Sequence, residues 1–204
     1  MGYDRKENLR AKSDLRLIAR QKRNRIDPIK RRASSLALCG AISDLRALLD
    51  SNAVISAYRP IGSELDPTPL VVELAADDLR IGLPVMQQVG KPLLFRQWRE
   101  GDQLEKQLWG IEEPQDGAPV TVPDLLLIPL LAYDRYGWRL GYGGGFYDRT
   151  LSDLRSKKKV QAVGIAFVEQ EVDSVPYSAN DQRLDWMLTP QGLRHTEDAI
   201  GKTN

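Results

Sequence analysis

Residues 125–131 read Leu-Leu-Leu-Ile-Pro-Leu-Leu, an almost unbroken apolar run within a chain of 204 residues. A half-exposed strand alternates apolar with polar positions, so a short continuous run fits a strand buried on both faces. That is the usual state of a parallel strand covered by helices on each side. The neighbouring segments agree. Residues 53–58, 79–86, 92–98, 160–167 and 186–188 read as further strands, with a turn around Gly90 joining two of them. Between them lie helical patterns. A basic helix is expected over about residues 4–25, with Leu9, Leu15, Leu17 and Ile18 as its weakly apolar side. Asp27-Pro28 and Asp66-Pro67 each pair a capping acid with a proline suited to the first turn. The first is followed by a Leu38, Ile42, Leu45, Leu49 stripe, the second by Val71, Val72, Leu74 and Ala75. A last helix is expected from Gly145 to Arg155. Strands alternating with helices predict an α/β fold: an open, mostly parallel central sheet with helices on both faces, Rossmann-like in layering.

At 42% apolar and 28% charged residues the composition suits one globular domain over residues 1–204. The single cysteine, Cys39, cannot form an intramolecular disulfide and leaves no zinc-type cluster. The charged N-terminus and the lack of a membrane-length apolar run point to a cytoplasmic protein with no membrane association. The net charge of +1 hides an asymmetry: residues 1–32 hold twelve Lys or Arg against four acids. Such a segment either meets anions or is simply a solvated helix face. Lys12 and Arg16, four apart, project from one face of the expected helix.

In open parallel sheets the ligand crevice lies beyond the carboxyl ends of the strands. Directly after the apolar run comes the most unusual loop of the chain, in which five of the sixteen glycines fall between Gly137 and Gly145. Glycines there let successive backbone N–H groups converge on an anion, and the start of the next helix adds its own. Arg139 and Arg149 supply charge for phosphate oxygens, and Asp148 is a hard oxygen ligand suited to magnesium. The loop lacks the Gly-Lys-Ser/Thr end of a P-loop, and Phe146 stands where a dinucleotide fingerprint needs glycine. A tight connection without a ligand is the plain alternative.

The loop sequence Arg139-Leu-Gly-Tyr-Gly-Gly-Gly-Phe-Tyr-Asp-Arg149 closely resembles the signature of the 5-formyltetrahydrofolate cyclo-ligases. Further elements are similar to that family in the same order. They are Lys12-Ser-Asp-Leu-Arg16, Tyr58-Arg-Pro-Ile-Gly-Ser-Glu64, Leu108-Trp-Gly-Ile-Glu-Glu-Pro114 and Asn180-Asp-Gln-Arg-Leu-Asp185. The resemblance implies a ligase that closes 5-formyltetrahydrofolate to 5,10-methenyltetrahydrofolate at the expense of ATP, with Mg2+, through a phosphorylated formyl group. It also implies the site. Lys12, Arg16 and Arg139, Leu140, Gly141, Tyr142, Gly143, Gly144, Gly145, Phe146 and Tyr147 would bind ATP. Tyr142 to Phe146 would also face the formyl group, and Arg59, Glu64 and Trp109 would hold the folate. Asp148 and Asp185 would hold magnesium, while Arg139, Tyr147 and Arg149 would act in catalysis. Small-molecule substrates are implied, with no nucleic acid; the sequence leaves the oligomeric state open, a monomer being favoured.

The residues leave rivals open. Glu64 could cap the following helix, Asp185 could pair with Arg183 or a lysine, and Trp109 could belong to the core. Two other functions compete. One is an inactive relative that binds nucleotide or folate. The other is a nucleic-acid-binding protein using residues 5–32, although that stretch has no aromatic residue for base stacking.

Overall fold

The computed structural model describes residues 5–76, 79–107 and 110–197. The chain begins with helix α1 (Arg5–Asn24), then α2 (Pro28–Ala37), a 3-10 turn (Leu38–Ala41) and α3 (Ile42–Arg46). Strand β1 (Val54–Ser56), helix α4 (Thr68–Ala76), β2 (Arg80–Val85) and β3 (Leu94–Trp98) follow. Three short strands come next: β4 (Leu104–Lys106), β5 (Glu112–Pro114) and β6 (Val120–Thr121). The central strand is β7 (Leu125–Pro129), succeeded by the β8 (Ala132–Tyr133) and β9 (Arg139–Leu140) hairpin and helix α5 (Phe146–Arg155). The described chain closes with β10 (Gln161–Ile165), β11 (Trp186–Thr189) and β12 (Gly192–His195).

Eight strands form one sheet in the order β12-β11-β10-β7-β1-β2-β3-β6. The five consecutive strands β2, β1, β7, β10 and β11 are parallel. Antiparallel β12 flanks β11, and β3 and β6 extend the other edge. The expected α/β layering is therefore present. The apolar run explains it directly, because side chains alternate across a strand. Leu125 and Leu127 join the core under α4, with Leu70, Val71 and Leu74. Leu126 and Ile128 face the other way, against Leu151 and Leu154 of α5. Asp27 caps α2 as its sequence suggests, accepting from the Ile29 and Lys30 N–H groups at 2.8 and 3.3 Å.

Helix α1 differs from expectation. Leu9, Leu17 and Ile18 are exposed, and only Leu15 and Ala19 pack, on Leu131, Ala132 and Leu140. Its inward face is largely polar. No helix among the described residues is long and apolar enough to cross a membrane.

Neighbouring strands β1 and β7 mark the point where the order reverses: the chain leaves β1 toward β2 on one side and β7 toward β10 on the other. Their exit segments therefore diverge to opposite faces, opening a crevice between them. These exit segments are residues 57–67 and 130–145, linked by the Tyr142 hydroxyl on Glu64.

Candidate active site

The glycine loop is set up by a small turn. Asp134, buried, accepts through Oδ1 from the Tyr136 and Trp138 N–H groups at 3.0 and 3.1 Å, and through Oδ2 from Val175 at 2.9 Å. Gly137 in this turn has φ +82°, and a Cβ there would lie 2.5 Å from the Leu184 carbonyl oxygen. The hairpin then delivers residues 141–145 to the mouth of the crevice. Gly145 ends the loop in the left-handed region at φ 64° and caps α5 without any side-chain acceptor. The first amides of α5 thus keep free donors at the positive end of the helix, beside exposed Tyr142, Gly143 and Gly144. Arg149 donates to the Gly144 carbonyl at 2.7 Å and to the Lys91 carbonyl at 3.3 Å, bracing the loop from behind.

Cations of α1 line the same mouth. Asn8, Lys12, Arg16, Ala19 and Arg23 fall on one helix face by their spacing. Asn8 donates to the Tyr177 carbonyl at 2.6 Å, Lys12 pairs with Asp181 at 2.5 Å, and Arg16 donates to the Gly141 carbonyl at 2.9 Å. Burial pushes the Asp181 carboxyl up, but hydrogen bonds from Lys12 and Ser178 outweigh it and hold it below the usual range. Lys12 and Arg16 are thus turned onto protein, whereas Arg10, Arg20 and Lys22 of the same helix are exposed.

Glu64 sits at the base of the crevice. Its Oε2 accepts from the Ile61 N–H at 2.8 Å, Oε1 accepts from the Tyr142 hydroxyl, and Arg23 lies 3.9 Å away. Its side chain is only 2% exposed. Burial raises its pKa, against the lowering effect of Tyr142, Ile61 and Arg23. The helix-cap reading of Glu64 is excluded, since Asp66 accepts from the Thr68 N–H at 2.9 Å instead. Burial, then the Glu64 charge, pushes the Tyr147 phenol well above its ordinary value. Arg59 is half-buried and reaches Glu112 at 3.3 Å and Thr68 at 3.4 Å. Trp109 lies outside the described residues.

The two carboxylates of the expected magnesium pair are held by different partners. Asp148, in the first turn of α5, accepts from Arg139 at 2.7 Å and from the Gln182 N–H at 3.0 Å. Asp185 is held by Arg155, in the last turn of the same helix, at 2.9 Å and by the Ala162 N–H at 2.8 Å. Arg155, rather than Arg183 or a lysine, is its ion-pair partner. Asp181 stands one residue before Gln182, whose N–H binds Asp148, and its charge acts on Arg139, the ion-pair partner of Asp148. Asp181 and Arg23 were both missed by sequence reasoning. Asp181 lies inside the 180–185 element and was within reach; nothing local marked Arg23 among the eleven other basic residues of positions 1–32. Among the described residues no three His, Cys, Asp or Glu cluster as a metal site. Two carboxylates nevertheless suit magnesium, which takes few protein ligands beside phosphates. Both already hold a cation, Arg139 on one and Lys12 on the other.

Comparison with known proteins identifies the family. Residues 7–190 match the profile of the 5-formyltetrahydrofolate cyclo-ligase family. A 5-formyltetrahydrofolate cyclo-ligase of Mycolicibacterium smegmatis is 31% identical, over 89% of this chain and 95% of its own. That of Escherichia coli K12 is 36% identical over 67% of this chain and 77% of its own. The solution structure of Aquifex aeolicus 5,10-methenyltetrahydrofolate synthetase superposes with TM-score 0.74 at 28% identity, covering 95% of this chain and 96% of that one. The Mycoplasma pneumoniae synthetase, 22% identical with TM-score 0.67 and coverages of 88% and 98%, shares the fold. With matches along nearly the whole length and a crevice built from the matching elements, the chain is an enzyme of the 5-formyltetrahydrofolate cyclo-ligase family.

Proposed function

We propose that this protein catalyses the ATP- and Mg2+-dependent conversion of 5-formyltetrahydrofolate to 5,10-methenyltetrahydrofolate, releasing ADP and phosphate. The observation that carries the reading is one convergence at the switch point. The uncapped start of α5, the exposed glycine loop and the α1 cations all meet there, beside a buried glutamate.

The chemistry asks the protein for alignment and charge neutralisation more than for a nucleophile. The triphosphate lies against the N–H groups of residues 143–147, with Lys12 and Arg16 turning from Asp181 and Gly141 to its oxygens. Asp148 and Asp181 would hold Mg2+, which would neutralise phosphate charge. Arg139 keeps Asp148 in place, and Arg149 keeps the loop in shape. Glu64 accepts N–H groups of the folate, and protonated Tyr147 offers a donor near the transferring group. The formyl oxygen attacks the γ-phosphorus as the β–γ bridging bond breaks and ADP departs. N10 of the folate then attacks the activated formyl carbon. Its proton is lost, the carbon–oxygen bond breaks, and inorganic phosphate leaves with that oxygen.

The test mixes protein, 5-formyltetrahydrofolate, ATP and Mg2+ and follows the methenyl chromophore. Turnover that stops when any of the three small molecules is withheld supports the reading. No chromophore from a folded protein with all three present rejects it.

A further inference from the structure

The carboxylate proposed to receive the folate cannot be reached in this structure. The Glu64 side chain is 2% exposed. Tyr142, itself 42% exposed, lies on the solvent side and donates its hydroxyl to Glu64. Behind both sits Arg23, with 5% of its side chain exposed. Arg23 donates to the Ser63 hydroxyl at 3.1 Å, to the Leu130 carbonyl at 3.4 Å and to the Tyr142 oxygen at 2.5 Å. Its guanidinium therefore ties together the exit of β1, the exit of β7 and the glycine loop, the three segments that meet at the switch point. Ser63 is in turn fixed by donating to Asn24 at 2.5 Å, the last residue of α1.

The two neighbours of Glu64 differ in freedom. Arg23 is buried and committed to two backbone segments. Tyr142 stands between Gly141 and Gly143 on an exposed stretch, and Gly143 has φ +101°. A swing of Tyr142 costs little backbone strain there. From this contrast we infer that Arg23 is the positioning residue of the folate carboxylate site, holding Glu64 in place, while Tyr142 is a displaceable cover that the substrate must move aside. This inference rests on the cyclo-ligase reading and assigns roles within its substrate site.

The charged and titratable groups facing Glu64 are Arg23 from α1, Tyr142 from the loop, Tyr147 from α5 and Tyr58 from the β1 exit. Arg23 is the only cation among them, so no other side chain in that set can replace its charge. Lysine keeps the charge but cannot reproduce a planar fork spanning three acceptors.

The two roles predict opposite signs. Arg23→Lys should raise KM for 5-formyltetrahydrofolate roughly tenfold or more, with kcat changed by less than about threefold and KM for ATP by about twofold at most. Tyr142→Phe keeps the ring but loses the hydroxyl that holds the cover down. It should lower KM for the folate about three- to tenfold. Purely structural damage would lower the melting temperature without splitting the folate and ATP constants. The inference is overturned if folded Arg23→Lys enzyme keeps the wild-type folate KM, or if Tyr142→Phe raises it. An inactive wild-type protein is a different result: it rejects the cyclo-ligase reading itself, and this one with it.

Discussion

The contact between Lys12 and Asp181 joins the first helix to a segment 169 residues away, and its energy can be measured. The perturbations are Lys12→Met, which keeps most of the apolar stem, and Asp181→Asn, which keeps the shape of the carboxylate. The groups are 2.5 Å apart, with side-chain exposures of 11% and 20%. At an effective dielectric of about 20, the attraction at this separation is roughly 7 kcal/mol. Desolvation of two ions offsets most of it. Removing Lys12 takes away the ion-pair partner of Asp181 and leaves it the Ser178 N–H and hydroxyl, at 2.6 and 2.7 Å, and the more distant charges of Arg16 and Arg139. A loss of about 2–3 kcal/mol is expected for Lys12→Met at pH 7, with a coupling of about 1–3 kcal/mol in the double-mutant cycle. Urea unfolding in the presence of a chelator measures both without metal at the carboxylates. The folded-state pKa of Asp181 is lowered, so its stabilisation is complete above the unfolded value of about 3.9. It is lost as pH falls through the lower folded value, so the coupling must shrink when the cycle is repeated near pH 3. Additive mutants at pH 7, within about 0.5 kcal/mol, would refute the idea that this ion pair docks α1.

Two further outcomes follow from the site and its frame. Magnesium titrated against the nucleotide complex should bind much more weakly, about 10-fold or more, in Asp148→Ala and Asp181→Asn, whereas Asp185→Asn should bind it nearly as wild type. Equal losses in all three would restore Asp185 to the metal site. Gly137→Ala should destabilise the protein by about 2–4 kcal/mol in urea, because positive φ and the Leu184 carbonyl at 2.5 Å both oppose a Cβ. An unchanged midpoint would show that the turn before the loop is not strictly required.

The layers of the fold were legible because burial leaves a periodic mark. The run at 125–131 has no polar face, and the structure places its alternate residues in two separate cores. The helix starts at Asp27 and Asp66 were legible for a local reason, since a cap and its amides lie within three residues. Helix α1 was misread on its face because its inward contacts are largely polar. Lys12, Arg16 and Arg23 meet Asp181, Gly141 and Glu64, partners that no helical period encodes. Leucine positions were therefore a poor guide there. The glycine loop declared itself by composition and motif. Asp181 and Asp185 show the limit, because two acids in one short element look alike until the chain's path separates them along α5.

The central claim is spatial, and a structure with a non-hydrolysable ATP analogue and Mg2+ tests it most directly. The account expects the phosphates on the N–H groups of residues 143–147, Lys12 and Arg16 turned onto them, and the metal between Asp148 and Asp181. Phosphates bound elsewhere, with Lys12 still on Asp181 and the loop facing solvent, would contradict it.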